Sequence, residues 1–199
     1  MYIKKDLKKY IDDLSSSSSV PGGGSASALT GILGMALVSM VANFNQDKKL
    51  QAQLKQLLIK NELLKNKIQV LIDRDVVVFL KLQDALKLPK EAAKRFDITQ
   101  KCFKDAAEVP FEICQLCFEA VNLAQIIAKI GNVHLISDTG GAIYLLVAAY
   151  KSAELNVKIN LKYIKDKKFV AKKKADMKKM LNNILKIEKQ IVKKVEGCL

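Results

Sequence analysis

Apolar residues recur along most of the chain at the three- and four-residue spacing of a helix face. Helices are predicted over residues 3–14, 25–45, 47–86, 90–130, 138–160 and 166–196. The alternation of apolar and polar residues that is typical of half-buried strands does not stand out anywhere. The sequence therefore predicts an all-α fold, with a single domain over residues 1–199 that forms a bundle of long helices with a subunit interface.

Proline, glycine and serine set the expected helix boundaries. Pro89 is expected to end the long third helix, because a proline disfavours helical backbone at the residue before it. Pro110 either begins a new helix or kinks a continuous one. Ser25 is predicted to be the N-cap of the second helix. Gly131 is predicted to be a left-handed cap after the fourth.

The segment of residues 15–24 joins a serine run to Pro21 and to three glycines, Gly22, Gly23 and Gly24. Its composition favours a flexible linker over a shaped loop. Three glycines before a helix N-terminus also expose backbone N–H groups, which suit a carboxylate, a phosphate or a carbonyl oxygen. Many glycine-rich stretches are only linkers, so composition leaves both interpretations open.

The segment of residues 26–44 is a weak candidate for a membrane span, since no charged residue occurs between Leu14 and Gln46. It is rich in Gly, Ala, Ser and Thr and has no dense face of Leu, Ile and Phe. A helix that is apolar all round is usually buried among other helices. We therefore expect a core helix and no membrane partner.

The net charge of +14 allows two interpretations, a polyanionic partner or a solvated lysine-rich surface. Lysines concentrate after Lys162, where they alternate with apolar residues at helical spacing. The basic residues are nearly all lysine, with Arg74 and Arg95 as the arginines. Because proteins that recognise bases use arginine heavily, a solvated helix face is favoured and no nucleic-acid partner is expected. A nucleic-acid or membrane-surface binder built on this last helix is the alternative.

Cysteine usage indicates a reducing compartment. Charged residues occupy positions 4–6, where a signal peptide would begin its apolar segment, so a cytoplasmic protein with free thiols is expected. Cys114 and Cys117 form a C-x-x-C inside an apolar helical run, which favours two core thiols over a redox pair. His134 is the single histidine, and no metal site is expected.

An ordered set of segments resembles the formiminotetrahydrofolate cyclodeaminase/methenyltetrahydrofolate cyclohydrolase family. The first is Pro21-Gly22-Gly23-Gly24-Ser25, followed by a small-residue helix that ends Met40-Val41-Ala42-Asn43. The others follow in order at residues 71–75 with Phe79, 88–90, 106–110, 131–132, 137–138, 156–157, 159–161 and Asp166. The resemblance spans about residues 7–166, and the ordered set is specific although each piece alone is not.

The resemblance implies an all-helical dimer or higher oligomer that binds folate at or near a subunit interface. In the cyclodeaminase reaction, N10 of 5-formimino-tetrahydrofolate attacks the formimino carbon, ammonia leaves, and 5,10-methenyltetrahydrofolate forms. In the cyclohydrolase reaction, water opens the methenyl bridge to 10-formyltetrahydrofolate. Neither reaction implies a cofactor beyond the folate itself. A non-catalytic folate-binding or scaffold protein is a further alternative.

The carboxylates of Asp75 and Asp138 are expected to move protons or to stabilise the cationic methenyl bridge. A solvated helix face is the structural alternative for Asp75. For Asp138, as for Ser137, the alternative is the N-cap of the fifth helix.

Further residues are expected to bind the substrate, together with residues 21–25 and Ser137. Lys90 is a candidate for a folate carboxylate, and Asn132, Asn156 and Asn160 for the amide edges of a pterin ring. Helix capping and turn formation are their alternatives. His134 stands where the family usually has asparagine, and a polar turn residue is favoured over a proton-transfer role. The surplus of lysine is expected to attract polyglutamylated folate at long range.

Overall fold

The computed structural model describes residues 1–4 and 6–198, so Lys5 and Leu199 of the predicted domain lie outside the described residues. The helices are α1 (Leu7–Leu14), α2 (Gly23–Asn43), α3 (Gln51–Lys87), α4 (Arg95–Ile130), α5 (Ile136–Leu161) and α6 (Lys167–Glu196). Short 3-10 turns at Tyr2–Lys4 and Val133–Leu135 precede α1 and α5. No strand occurs in the described residues, and the all-α prediction is confirmed.

Helix α2 packs on three other helices, α3, α4 and α5. Its small residues make this possible. A Cβ atom at Gly31 would lie 2.8 Å from Ile68 Cδ1 of α3, 3.2 Å from Cys117 Sγ of α4 and 3.7 Å from Ala149 Cβ of α5. The glycine therefore lets three helices approach one point on α2, and α6 then covers the outer side of α4 and α5.

One predicted break is absent, and one helix begins later than predicted. Helix α4 continues through Pro110, which is buried, so Pro110 neither ends the helix nor begins a new one. Helix α4 also begins at Arg95, five residues later than predicted. The chain at 88–94 instead folds into a turn, in which Arg95 Nε donates to the carbonyl of Leu88 at 2.9 Å.

Three predicted caps were wrong. Gly22 is the N-cap of α2, which places Ser25 inside the first turn. Gly131 has a φ of −72° and is not left-handed. A Cβ atom there would lie 2.7 Å from Val41 Cγ1, so the end of α4 needs a glycine to approach α2. Neither Ser137 nor Asp138 caps α5, because the 3-10 turn at Val133–Leu135 leads into the helix instead.

Three helical segments are long and apolar enough to cross a membrane by length and composition: Gly23–Asn43, Arg95–Ile130 and Val133–Leu161. Their most apolar windows have mean hydropathies of 1.7, 1.4 and 1.3. About half of each window is buried inside the bundle, at 50%, 56% and 44%. These segments pack on one another, so much of their apolar surface forms the common core.

The crossing of α2 and α5 generates the first prediction. A Cβ atom at Gly34 would lie 2.8 Å from Leu146 Cγ and 3.1 Å from the carbonyl oxygen of Ala142. We expect Gly34→Ala to lower the free energy of unfolding by about 1–3 kcal/mol, because the two helices must separate to admit the methyl group. Urea denaturation measures this change.

Gly141→Ala is the matched control, since its Cβ atom would meet Leu37 Cδ1 at an ordinary 3.5 Å in the same helix pair. Alanine is favoured over glycine inside a helix by up to about 1 kcal/mol. This variant should therefore be as stable as the parent or more so. Equal stability of Gly34→Ala and the parent would contradict the packing argument.

Candidate active site

A cavity of about 250 Å³ lies at the N-terminal end of α2, where α3, α4 and α5 meet it. Its wall combines the glycine turn, apolar and aromatic side chains, two asparagines and one charged residue. The lining residues are Ser19, Val20, Gly22, Gly23, Gly24, Asp75, Val78, Phe79, Leu82, Phe103, Ala106, Pro110, Asn156, Ile159, Asn160 and Tyr163. An apolar pocket with a few convergent polar groups is the usual form of a ligand site.

The segment before α2 is a shaped loop and not the flexible linker that composition favoured. Ser18 Oγ donates to the carbonyl of Val20 at 2.7 Å, and Ser19 Oγ lies 3.4 Å from Gln83 Oε1 of α3. Pro21 is buried and is joined to Val20 by a cis peptide bond. These contacts hold the loop against α3, at the edge of the cavity.

Asp75 of α3 inserts its carboxylate into the first turn of α2. The backbone N–H of Ser25 donates to Asp75 Oδ2 at 3.0 Å. A Cβ atom at Gly24 would lie 2.1 Å from Asp75 Oδ1, so the missing side chain of Gly24 creates the space for the carboxylate. The glycine at position 24 is therefore required by the packing of Asp75, which would not be the case in a flexible linker.

Burial raises the pKa of Asp75 from 3.8 to about 6, and the hydrogen bond from the Ser25 N–H limits the rise. A carboxyl group with a pKa near the ambient pH both accepts and donates a proton readily. Carboxylates are raised in this way at many catalytic sites, where desolvation sets the proton affinity. Asp75 therefore combines the position and the proton affinity of a general acid–base group.

Asn156 and Asn160 of α5 present acceptors to the cavity. Asn160 Nδ2 donates to the carbonyls of Ala106 and Asn156 at 3.0 and 2.9 Å, and Asn156 Nδ2 donates to the carbonyl of Ser152 at 2.9 Å. Within the described part of the chain neither Oδ1 atom accepts a hydrogen bond. With the carboxylate of Asp75, the two amide oxygens make a wall rich in acceptors, which suits a ligand rich in N–H groups.

Aromatic side chains form the opposite part of the wall. Phe103 and Tyr163 stack with ring centroids 5.0 Å apart, and Phe79 is 38% exposed. Flat aromatic faces favour a planar ring as ligand. Phe103 and Tyr163 were not among the predicted site residues. Helical spacing makes Phe103 an ordinary core aromatic, and Tyr163 lies between the fifth and sixth predicted helices.

Tyr10 of α1 was also missed by the sequence analysis. Its hydroxyl lies 3.1 Å from Ser25 Oγ, and both side chains are buried. Ser25 therefore contacts Asp75 through its backbone and Tyr10 through its side chain. No sequence signal places α1 against α2, since the contact joins two helices across the loop of residues 15–22.

A second group of predicted site residues, at positions 132–138, lies at the other end of α2. Asn132 Nδ2 donates to the carbonyl of Phe44, just beyond the C-terminus of α2, and its Oδ1 accepts from the N–H of His134. Ser137 and Asp138 follow in the first turn of α5. A helix of 21 residues is about 30 Å long. A single chain therefore does not bring this group to Asp75.

This separation arises because α2 and α5 are antiparallel, so that the start of α5 meets the end of α2. Asn132 and His134 line a separate open groove of about 480 Å³ with Phe44, Asn45 and Gln46. Lys90 lies exposed in the turn after α3 and is not among the residues that line the cavity around Asp75.

Comparison with known proteins places the chain among folate enzymes. Residues 6–179 match the family described as formiminotransferase-cyclodeaminase. A methenyltetrahydrofolate cyclohydrolase of Methylorubrum extorquens is 36% identical, with 96% of each chain covered. A formimidoyltransferase-cyclodeaminase of Gallus gallus is 32% identical over 94% of this chain, which corresponds to 36% of the length of that enzyme.

A solved structure is also similar. Formiminotetrahydrofolate cyclodeaminase from Thermotoga maritima superposes with a TM-score of 0.84 at 25% identity, over 100% of this chain and 98% of that one. The chain thus spans nearly all of the Methylorubrum and Thermotoga proteins but only about a third of the vertebrate enzyme.

The raised pKa of Asp75 generates the second prediction, on stability. Well below pH 3.8 the carboxyl group is protonated in both the folded and the unfolded chain. As the pH rises from 3.8 towards 6, the unfolded chain loses this proton first, so the folded state loses stability. A shift of about two pH units costs roughly 2–3 kcal/mol.

Asp75→Asn carries no such cost. We expect this variant to be more stable than the parent at pH 8 by about 1–3 kcal/mol, and the difference to disappear near pH 3.5. Urea denaturation at the two pH values measures this. Asp84→Asn, an exposed change on the same helix, is the control and should show little difference at either pH. Lower stability of Asp75→Asn at pH 8 would contradict the assigned burial cost.

Proposed function

The chain belongs to the formiminotransferase-cyclodeaminase family, and we propose from this that it is a formiminotetrahydrofolate cyclodeaminase whose acid–base group is Asp75. The reaction would convert 5-formimino-tetrahydrofolate into 5,10-methenyltetrahydrofolate and ammonia. One observation carries the assignment of the site. Among the described residues, Asp75 is the single charged one in the cavity lining, and its pKa of about 6 suits proton transfer near neutral pH.

The chemistry requires a proton to move between two nitrogens. N10 attacks the formimino carbon, a C–N10 bond forms, and N10 must lose its proton. The departing nitrogen enters as the protonated formimino group, =NH2+, and becomes an amino group on attack. It then gains one more proton, its bond to the carbon breaks, and it leaves as ammonia. A carboxylate that lies beside both nitrogens can accept the first proton and donate the second. Its negative charge also stabilises the cationic methenyl bridge.

The polar and aromatic walls of the cavity support folate as the ligand. A pterin ring carries N–H groups along one edge, which would pair with the free amide oxygens of Asn156 and Asn160. Phe79 and the stacked pair of Phe103 and Tyr163 would cover its faces. A volume of about 250 Å³ is below the usual range for a drug-sized ligand. The remainder of the folate would therefore extend out of the cavity.

A methenyltetrahydrofolate cyclohydrolase is the second candidate. It is supported by the Methylorubrum relative, which matches along almost its whole length and carries that name. The same carboxylate would then remove a proton from the water that attacks the methenyl carbon. Both reactions share the cationic methenyl compound, so the cavity suits either of them.

The third prediction separates the two activities. Absorbance of the methenyl bridge is followed from 5-formimino-tetrahydrofolate and, in a second assay, from methenyltetrahydrofolate. Accelerated appearance with release of ammonia is expected for the cyclodeaminase, and accelerated decay to the formyl compound alone for the cyclohydrolase. Asp75→Asn should lower kcat at least about 100-fold in the active direction, since it removes the acid–base group. Asp84→Asn should retain full activity.

Gly24→Ala tests the geometry of the same site, because its methyl group would displace the Asp75 carboxylate. It should lose far more activity than Gly22→Ala, whose Cβ atom meets no protein atom within 4 Å. If the parent protein accelerates neither reaction, the proposed function is wrong for these substrates.

We also propose that the protein is a homodimer that packs through an exposed apolar surface on α2 and α5. This surface includes Leu33, Tyr144 and Leu155, which are 51%, 54% and 65% exposed. Helix α2 contributes no charged residue, and the exposed Lys151 lies between Tyr144 and Leu155 along α5. Exposed apolar surface of this kind is typical of an association site.

A dimer of this kind would explain the two separate groups of predicted residues. If α2 of one copy runs antiparallel to α2 of the other, the end that carries Asn132 and Asp138 lies beside the cavity of the second copy. Each active site would then use Asp75 from one copy and Asn132, His134 and Asp138 from the other. The proposal retains both carboxylates and assigns them to different subunits.

Mixing of two inactive variants gives the fourth prediction. Asp75→Asn and Asp138→Asn are each expected to lose most of their activity. After subunits exchange, half of the dimers contain one copy of each variant, and each of these has one intact site of its two. About 25% of the parental activity should therefore return on this statistical argument. No recovery in exchanged dimers, or full activity of Asp138→Asn alone, would show that the site is not shared.

A further inference from the structure

Helix α1 reaches the candidate active site through one residue, Tyr10. Tyr10 is 5% exposed, and it is the buried residue of α1, whereas Leu7 and Ile11 are 63% and 52% exposed. Its hydroxyl lies 3.1 Å from Ser25 Oγ, and the N–H of Ser25 donates to Asp75 Oδ2 at 3.0 Å. A continuous set of polar contacts therefore joins α1 to the reacting carboxylate.

The N-terminal segment also contacts α3. The backbone N–H of Tyr2 donates to Asp73 Oδ1, two residues before Asp75. The ring of Tyr2 meets the ring of Tyr10 edge-on, with centroids 5.5 Å apart and an interplanar angle of 88°. This contact fixes the ring of Tyr10, so its hydroxyl has a defined position under the first turn of α2.

We propose that Tyr10 is a positioning residue for the reaction: its hydroxyl holds Ser25 Oγ and so keeps the Ser25 N–H directed at the carboxylate of Asp75. The inference rests on the proposed function of Asp75. Ser25 is fully buried, so without the phenol its hydroxyl would lose this partner. A buried hydroxyl without a partner rotates or shifts its backbone to find one. The first turn of α2 would then hold Asp75 less firmly.

The direction of the effect on Asp75 follows from its hydrogen bond. The Ser25 N–H lowers the pKa of Asp75 by stabilising the carboxylate, so a weaker bond raises it. Burial raises the pKa of Tyr10, the hydrogen bond with Ser25 lowers it, and the charge of Asp75 raises it further. Tyr10 faces the carboxylate from α1 and Tyr163 lies across the cavity, whereas the lining residues of α2, α4 and α5 are uncharged.

Tyr10→Phe is the fifth prediction, because it removes the hydroxyl and keeps the buried ring. We expect kcat to fall about fivefold to tenfold, which is the effect of one lost hydrogen bond, while KM changes less than about twofold. The acid limb of the pH–rate profile should move to higher pH. Tyr2→Phe is the matched control on the same segment, and it should leave kcat and the acid limb unchanged.

A double-mutant cycle separates positioning from packing. In a Ser25→Ala background, Tyr10→Phe should have no further effect on kcat, because the partner of the hydroxyl is already gone. An unchanged kcat and acid limb in Tyr10→Phe would overturn the inference, as would an equal loss in both backgrounds.

NMR titration of the Asp75 carboxyl group gives a readout that needs no substrate. Its pKa should be higher in Tyr10→Phe than in the parent. If the parent is inactive on both folates but this pKa rises, the proposed function fails and the coupling stands. If the parent is active and the pKa of Asp75 does not move, the positioning role of Tyr10 is wrong but the proposed function stands.

Discussion

The close approach of neighbouring helices to the glycines of α2 is the constraint on which the rest of the structure depends. At Gly31, side chains of three other helices reach the surface of α2. At Gly24, the same lack of a side chain admits the carboxylate of Asp75. One physical property, a helix with a thin surface, therefore produces both the core of the bundle and the setting of the proposed acid–base group, Asp75. The packing of α2 against its neighbours therefore determines both the fold and the geometry of the site.

The polar groups around the cavity are fixed before any ligand arrives. The amide nitrogens of Asn156 and Asn160 are held by backbone carbonyls, so their oxygens keep one orientation towards the cavity. Asp75 is held by the first turn of α2. Preorganised dipoles of this kind do not have to reorient during a reaction, which is why they stabilise developing charge efficiently. Burial of the ionised carboxylate destabilises the folded state, and the same burial raises the pKa of Asp75.

Helical periodicity was sufficient to predict the fold class and most of the helices, because apolar spacing is a local property of the sequence. Local signals failed where a distant contact decides the conformation. Ser25 resembles an N-cap in sequence, but α2 begins at Gly23, and the N–H of Ser25 donates to Asp75 of a distant helix. The resemblance to the family identified Asp75 and the two asparagines of the cavity. It did not indicate Tyr10, whose contact with Ser25 exists only in three dimensions.

The length of α2 has a consequence for how such a chain tolerates insertions and deletions. Each residue added to a helix rotates everything beyond it by about 100° and moves it by about 1.5 Å. An insertion between Gly24 and Gly31 would leave the contact between Gly24 and Asp75 in place. It would turn Gly31 and Gly34 away from the helices that they pack against. The spacing of Gly24, Gly31 and Gly34 along α2 is therefore fixed by its neighbours, whereas the connections at 44–50 and 88–94 lie outside these contacts.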